Sequence, residues 1–454
     1  MSQPYGIMWT DVFWNGKYVL NESDKMRYTR LGKAVFLTGY QASGRESKYF
    51  PSKLICDDYV KAQDDKKMAC FWGGLLCSVL LQKYFEDQKI QENKETFLGE
   101  KQAECLCSFS SMPEKWLPWM EENQEKWETF LDRCDDCFNY LNIKVFIAYD
   151  ELDRICSRYK DLFLYIRSLL NFWFTHNNRW QNLKAKIFLR SDLYDSRSLH
   201  FTDSSKMRAY RLELQWDSVS LYRLLIKRLA NSGNENAVAY LLSIRDLLPD
   251  KKERIGYLPT DSECGLKAFV EKMIGRYMGK VPKRGISYNW VPNHIQDANG
   301  EVSPRAFLKC FVFAVLEQQR NKKELEELED DHLLHPSRLQ GALAEVSRDR
   351  VRELVEDEYI WLETLSRRLD GQSMLMNKTA FLQYLAIENW SDKDQEVLPA
   401  TSPEELLDAL EGLGIFYETE DGRINTPEIY LHGFGLKRRG RNQTPEIRAA
   451  DAEH

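Results

Sequence analysis

Ile143-Lys-Val-Phe-Ile-Ala-Tyr149, followed by Asp150-Glu151-Leu152-Asp153-Arg154, is the stretch on which the reading of this chain turns. Seven residues rich in apolar and β-branched side chains, closed by a polar cluster, predict a buried β-strand. Its acids come at the carboxyl end, the edge where open α/β sheets bind their ligands. A carboxylate delivered there, Asp150, suits a Mg²⁺ that bridges two phosphates, and its neighbour Glu151 suits the orienting or deprotonating of an attacking water. A plain alternative is that DELDR opens the next helix, where acids favour the positive end of the helix dipole.

Downstream, a helix holding Leu162, Leu164, Ile166, Leu169, Leu170 and Phe172 leads to a second apolar strand, Ala185–Leu189, and the polar cluster Arg190-Ser191-Asp192. A third strand is expected at Arg211–Leu214, before a helix that starts at Asp217 or Ser218. Upstream, an acidic amphipathic helix is expected over Glu121–Leu141, and the polar segment Glu92–Pro118 reads as a loop or insertion. Before it, Ala69, Trp72, Leu75, Leu76, Val79 and Leu80 give Gln63–Gln91 one buried helical face. Ala34–Gly39 and Lys53–Cys56 are further strand candidates. Strands alternating with helices imply an α/β core whose parallel sheet is wrapped on both faces.

A metal-bound phosphate at Asp150 calls for a glycine-bearing loop between an earlier strand and a helix, with a Lys and a Ser or Thr at its end. Two registers present themselves. After the strand Ala34–Thr38, Gly39-Tyr-Gln-Ala-Ser-Gly44-Arg45-Glu46-Ser47 has both glycines correctly spaced, but Arg45 replaces Lys and Glu46 the hydroxyl residue. Pro51 also follows too soon for a long helix. Alternatively, Arg27-Tyr-Thr-Arg-Leu-Gly32-Lys33-Ala34 keeps Gly-Lys before a helix over Lys33–Gln41, and lacks the first glycine and the hydroxyl. The two are mutually exclusive, because one makes Ala34 strand and the other makes it helix.

Beyond Ser232 helices dominate, over Ala237–Leu247, Gly265–Met278, Pro304–Gln319 and a pair within Leu343–Leu369; the densely charged Lys322–Asp331 is solvated helix or linker. The end of the chain reads as a helix, Gly412-Leu-Gly414, and the strands Ile415–Glu418 and Arg423–Asn425 joined across Glu420-Asp421-Gly422.

The 454 residues suffice for about two to four domains. With 63 basic and 70 acidic residues, the net charge of −7 supplies no global attraction to nucleic acid or anionic lipid. The ten cysteines and seven histidines show no zinc-ligand spacing, so reduced thiols and no structural metal are expected. The most apolar run, Ala69–Leu81, is shorter than the roughly 20 residues of a membrane helix. The N-terminus shows no secretory pattern, so a cytoplasmic address without membrane contact is expected.

With these pieces assembled, the chain resembles bacterial P-loop ATPases of the STAND/KAP-like branch of AAA+ proteins. The resemblance rests on VFIAYDELDR (Val145–Arg154), KIFLRSDLY (Lys186–Tyr194), RLELQW (Arg211–Trp216) and Ser303-Pro304-Arg305 at a helix start. It implies ATP and Mg²⁺ as ligands, Asp150 on the metal, Glu151 as catalytic carboxylate, Arg190 or Ser191 as sensor of the terminal phosphate, and Arg305 as a lid cation. Gly32 and Lys33, or Gly39, Gly44 and Arg45, would form the phosphate loop.

The implied architecture is a P-loop NTPase core over 1–231, a helical lid over 232–320, a helical connector over 321–373, a winged-helix-like domain over 374–440 and a tail over 441–454. The implied function is a nucleotide-responsive conformational switch of bacterial defence or signalling, with a protein partner or a second copy of the chain. The departures in the phosphate loop leave open a non-hydrolysing scaffold. A nucleic-acid-binding winged helix, aided by Lys437, Arg438, Arg439 and Arg441, is the third reading.

Overall fold

The computed structural model describes residues 33–59, 65–84, 88–194, 204–249, 256–320, 332–391 and 398–438, together with 252, 328 and 395. Gly32, Arg439, Arg441 and nearly all of the charged segment Lys322–Asp331 lie outside the described residues. No helix among those described is long and apolar enough to cross a membrane. The chain divides into two compact units at Leu212/Glu213, so the helix beginning at Ser218 belongs to the second unit and not to the sheet-bearing one.

The first unit is helix-rich α/β. Its strands β1 (Lys33–Tyr40), β2 (Ile143–Tyr149) and β3 (Leu183–Ile187) form a parallel sheet in that order, with β2 in the middle. β2 has the bounds that its apolar run dictates, and β3 starts two residues before the expected strand. Alternation sorts β2 by face: Val145, Ile147 and Tyr149 are fully buried, whereas Phe146, on the other face, stacks on Phe36 at 5.0 Å and stays half-buried.

Between β1 and β2 come α1 (Lys53–Tyr59), α2 (Asp65–Tyr84), α3 (Gln88–Phe97), α4 (Glu100–Ser108), α5 (Pro113–Glu122) and α6 (Gln124–Tyr140). α7 (Tyr159–His176) makes the crossover from β2 to β3. α2 is the centre of this unit. Every residue from Cys70 to Ser78 is buried, and Gly73 and Gly74 let two indoles approach its backbone. A Cβ on Gly74 would sit 2.3 Å from the Trp116 ring, and one on Gly73 2.7 Å from that of Trp127.

Three segments depart from the expected structure. Glu92–Pro118 is not a loop: α3, α4 and most of α5 occupy it, burying Ala103, Leu106, Trp116 and Leu117. Gly99 and Pro113 punctuate that segment as helix boundaries, which its charge had obscured. Lys53–Cys56 is helical, because only Cys56 of its apolar residues is drawn fully inward and Leu54 is left 77% exposed. Arg211–Leu214 is not a strand. Its alternation is real, but Leu212 is 83% exposed and the segment joins no ladder with a strand among the described residues.

The second unit is helical: α8 (Ser218–Ala230), α9 (Glu235–Leu242), α10 (Glu263–Ile274), α11 (Ser287–Ile295), α12 (Pro304–Arg320), α13 (Pro336–Glu353) and α14 (Leu362–Leu369). Asp217 caps α8 by accepting from Ser220 N–H at 2.7 Å. α12 packs along α13, and Lys309 joins them by contacting Asp349 and, at 2.7 Å, Glu353.

After α14 come β4 (Ser373–Met374), β5 (Met376–Asn377), α15 (Lys378–Leu385), α16 (Pro403–Gly412), β6 (Tyr417–Glu418), β7 (Arg423–Asn425), α17 (Glu428–Leu431) and β8 (Lys437–Arg438). β5, β7 and β6 make a small antiparallel sheet in that order, with the expected turn at Gly422 (φ +75°). β8 pairs with β4, so Lys437 and Arg438 are exposed on a two-stranded ladder. This region rests on α13, where Gly433 N–H donates to Ser347 Oγ at 2.8 Å.

Candidate functional site

β2 runs out at Tyr149 and places Asp150 and Glu151 at the carboxyl end of the middle strand. Neighbouring strands complete the rim. Asp150 N–H donates to the carbonyl of Tyr40, where β1 ends, and Phe188 N–H, just past β3, donates to the carbonyl of Tyr149 at 2.9 Å. The acids are therefore flanked by the segment after β1 on one side and the segment leading to Arg190 on the other.

The backbone turns sharply here. Glu151 adopts φ 54°, ψ 32°, a left-handed conformation that costs a side-chain-bearing residue about 1 kcal/mol or more. The turn lets Asp150 Oδ1 accept from the N–H of Glu151 at 2.8 Å. Proximity to the core desolvates Asp150 and raises its carboxyl above the usual range; the Glu151 N–H pulls it back, and the charges of Glu151 and Asp153 raise it further. Among the described residues no Lys, Arg or His forms an ion pair with Asp150 or Glu151.

The glycine-bearing segment after β1 lies against this pair. Ser43 donates its backbone N–H to Glu151 Oε2 at 2.7 Å and its hydroxyl to Oε1 at 2.6 Å. A second contact of the same form follows in reverse: Ser157 N–H and Oγ both donate to Asp57, each at 2.6 Å. Tyr165 on α7 adds a bond to the Cys56 carbonyl at 3.0 Å. The connections leaving β1 and β2 are thus bound to one another at three places.

Of the two loop registers, the one beginning at Gly39 has the strand it requires. The other loses its helix, because Lys33 opens β1 and stands at the amino end of that strand, seven residues from Tyr40 and about 20 Å from the rim. Within the surviving register the glycines do different things. Gly39 is buried at a register shift, and a Cβ there would lie 2.5 Å from Ile147 and 2.7 Å from the Tyr149 ring, so its smallness serves strand packing. Gly44 takes φ +90° and lets the chain bend, with Arg45 and Glu46 exposed beside it. A three-residue 3₁₀ turn, Ser47–Tyr49, then intervenes before the seven-residue α1, and Ser47 Oγ is occupied by the Gly44 carbonyl. The loop has no long helix dipole behind it.

Arg190 lies three residues past the end of β3, partly buried, and its carbonyl accepts from Tyr194 N–H in the single turn Ser191–Tyr194. Arg305 lies in the second unit, where it donates to Glu353 at 3.3 Å. Ser43 was hidden from sequence reasoning, since only the fold reveals its contact with a residue 108 positions away. The comparisons with protein-family models, with curated proteins and with solved structures return no match for this chain.

Which group would fit is set by the donors. Asp150 presents one carboxylate oxygen without a hydrogen bond, and no cluster of three or more His, Cys, Asp or Glu side chains among the described residues is arranged for a metal. The free carboxylate oxygen of Asp150 is the one group here that could reach a hard cation such as Mg²⁺, with water and phosphate oxygens completing the coordination.

Proposed function

We propose that the rim formed by Asp150, Glu151 and the Gly39–Glu46 segment binds the phosphates of a nucleotide together with Mg²⁺, and that the chain acts as a nucleotide-responsive conformational switch. The observation that carries this reading is the delivery of two adjacent acids by the middle strand of a parallel sheet to the same edge as a glycine-bearing turn. Asp150 would hold the metal and Glu151 would orient water. Mg²⁺ would supply the positive charge that lets phosphate oxygens approach the acids.

Binding, more than turnover, suits this loop. Glu46 stands where a hydroxyl would help hold the metal, and like charges about 4 Å apart near a surface repel by roughly 4 kcal/mol. Arg45 and Arg190, in the same unit as the acids, are the cations proposed to offset that charge. In the C-terminal region, the order α14, β5, α15, α16, β6, β7 and the β5-β7-β6 sheet support a winged-helix module as the moving part. Its partner is proposed to be another protein or a second copy of the chain.

A melting assay tests the reading. MgATP should raise the unfolding temperature, and Asp150→Asn should remove most of that gain. No shift with any Mg²⁺-nucleotide would leave a scaffold without nucleotide dependence. If hydrolysis is detectable, Glu151→Gln should abolish it; an unchanged rate would remove Glu151 from the chemistry.

A further inference from the structure

The Glu151–Ser43 contact bears on how this rim is regulated. Two oxygens of one anionic group receive a backbone N–H and a hydroxyl from the same residue, at 2.7 and 2.6 Å. Short charge-assisted bonds of this kind are what a loop offers a phosphate. Here the anion is the chain's own carboxylate, held in place by a backbone in the left-handed region. Strain at such a position marks a residue whose surroundings over-determine it. The Ser157–Asp57 clasp keeps the two connecting segments together without using Ser43 or Glu151, so opening the first clasp need not separate them.

We propose that Ser43 is a phosphate-contacting residue whose two donors are occupied by Glu151 in the resting protein, so that phosphate binding and the Glu151–Ser43 clasp exclude each other. A phosphate that takes the Ser43 donors releases Glu151, and the carboxylate becomes free to act only when ligand is present. The inference rests on the nucleotide reading for the identity of the ligand. It goes beyond it in assigning Ser43 and in making Glu151 an internal competitor.

The experiment uses the full chain and MgADP, which cannot be hydrolysed at this site, so that slowed turnover is not mistaken for tighter binding. Calorimetric titrations compare wild type with Glu151→Ala and with Glu151→Asn, whose shorter side chain tolerates the left-handed backbone. Both variants should bind MgADP about tenfold more tightly, because a competing state has been removed. Ser43→Ala should change affinity little in the wild type, where it weakens clasp and ligand contact together. In the Glu151→Ala background it should cost about tenfold, a non-additivity that two independent residues would not show.

Equal MgADP affinity in wild type and both variants would overturn the competitor role while leaving the nucleotide site intact. Absence of MgADP binding in every variant would overturn the nucleotide reading and the inference with it. Circular dichroism on each protein separates these outcomes from misfolding, and Glu151→Asn keeps the test available should Glu151→Ala fail to fold.

Discussion

Acids at the two ends of the same sheet are treated in opposite ways: Asp135 at one, Asp150 and Glu151 at the other. At the amino end of β3, Asp135 of α6 is buried and accepts from the N–H groups of Gln181, Asn182 and Leu183 at 2.9, 2.7 and 2.7 Å. Lys144 Nζ donates nearby to the Gln181 carbonyl and Asn182 Oδ1, and Lys184 Nζ to the carbonyls of Asn177 and Trp180. Polar groups there are matched within the fold. At the carboxyl end, the Asp150 carboxylate accepts from the next residue's N–H alone among the described residues, and is raised by desolvation against the core and by like charges; Glu151 sits on a strained backbone and is held by a serine. A matched acid is part of the frame, whereas an under-partnered one at a ligand-binding edge has capacity left for something else.

That contrast is broken most forcefully at the frame. Asp135→Ala should leave three backbone donors without their acceptor and cost about 4 kcal/mol, read as a lower urea midpoint. Asp135→Asn should cost less, since an amide oxygen still accepts while its NH₂ faces a donor. If Asp135→Ala left the midpoint unchanged, the anchoring of β3 would lie elsewhere. Gly74→Ala should follow at about 2 kcal/mol, because the added methyl meets the Trp116 ring in a packed interior.

The smallest effect should have the opposite sign. A carboxyl whose folded pKa is raised favours the folded state when protonated, and that advantage is lost as pH rises through the folded value. Ionised Asp150 therefore opposes folding at neutral pH. Asp150→Asn should raise the unfolding temperature at pH 7, and the gain should vanish below about pH 4, where both side chains are neutral. A variant less stable than wild type at pH 7 would place Asp150 with the frame.

Sequence reading reached the middle of the sheet and stopped short of its surroundings for physical reasons. Ile143–Tyr149 was legible because a short apolar run closed by acids has few other solutions. The same logic misled at Arg211–Leu214, since alternation reports that one face is apolar and says nothing of a neighbouring strand to pair with. α3, α4 and α5 were hidden by exposed charge, although Trp116, Leu117 and Met120 carry the helical spacing that buries them against α2. Asp150 and Glu151 could be placed from sequence; the Ser43 clasp and the burial of Gly39 under Tyr149 could not, because each joins residues about a hundred positions apart.

The most direct test of the central claim is an electron paramagnetic resonance titration with Mn²⁺ standing in for Mg²⁺. In the presence of ADP the wild-type protein should remove free Mn²⁺ with a stoichiometry of about one, beyond what ADP alone binds, and Asp150→Asn should abolish that excess while Asp135→Asn retains it. Retention of the excess by Asp150→Asn, or no excess in the wild type, would contradict a metal-assisted phosphate site at the end of β2.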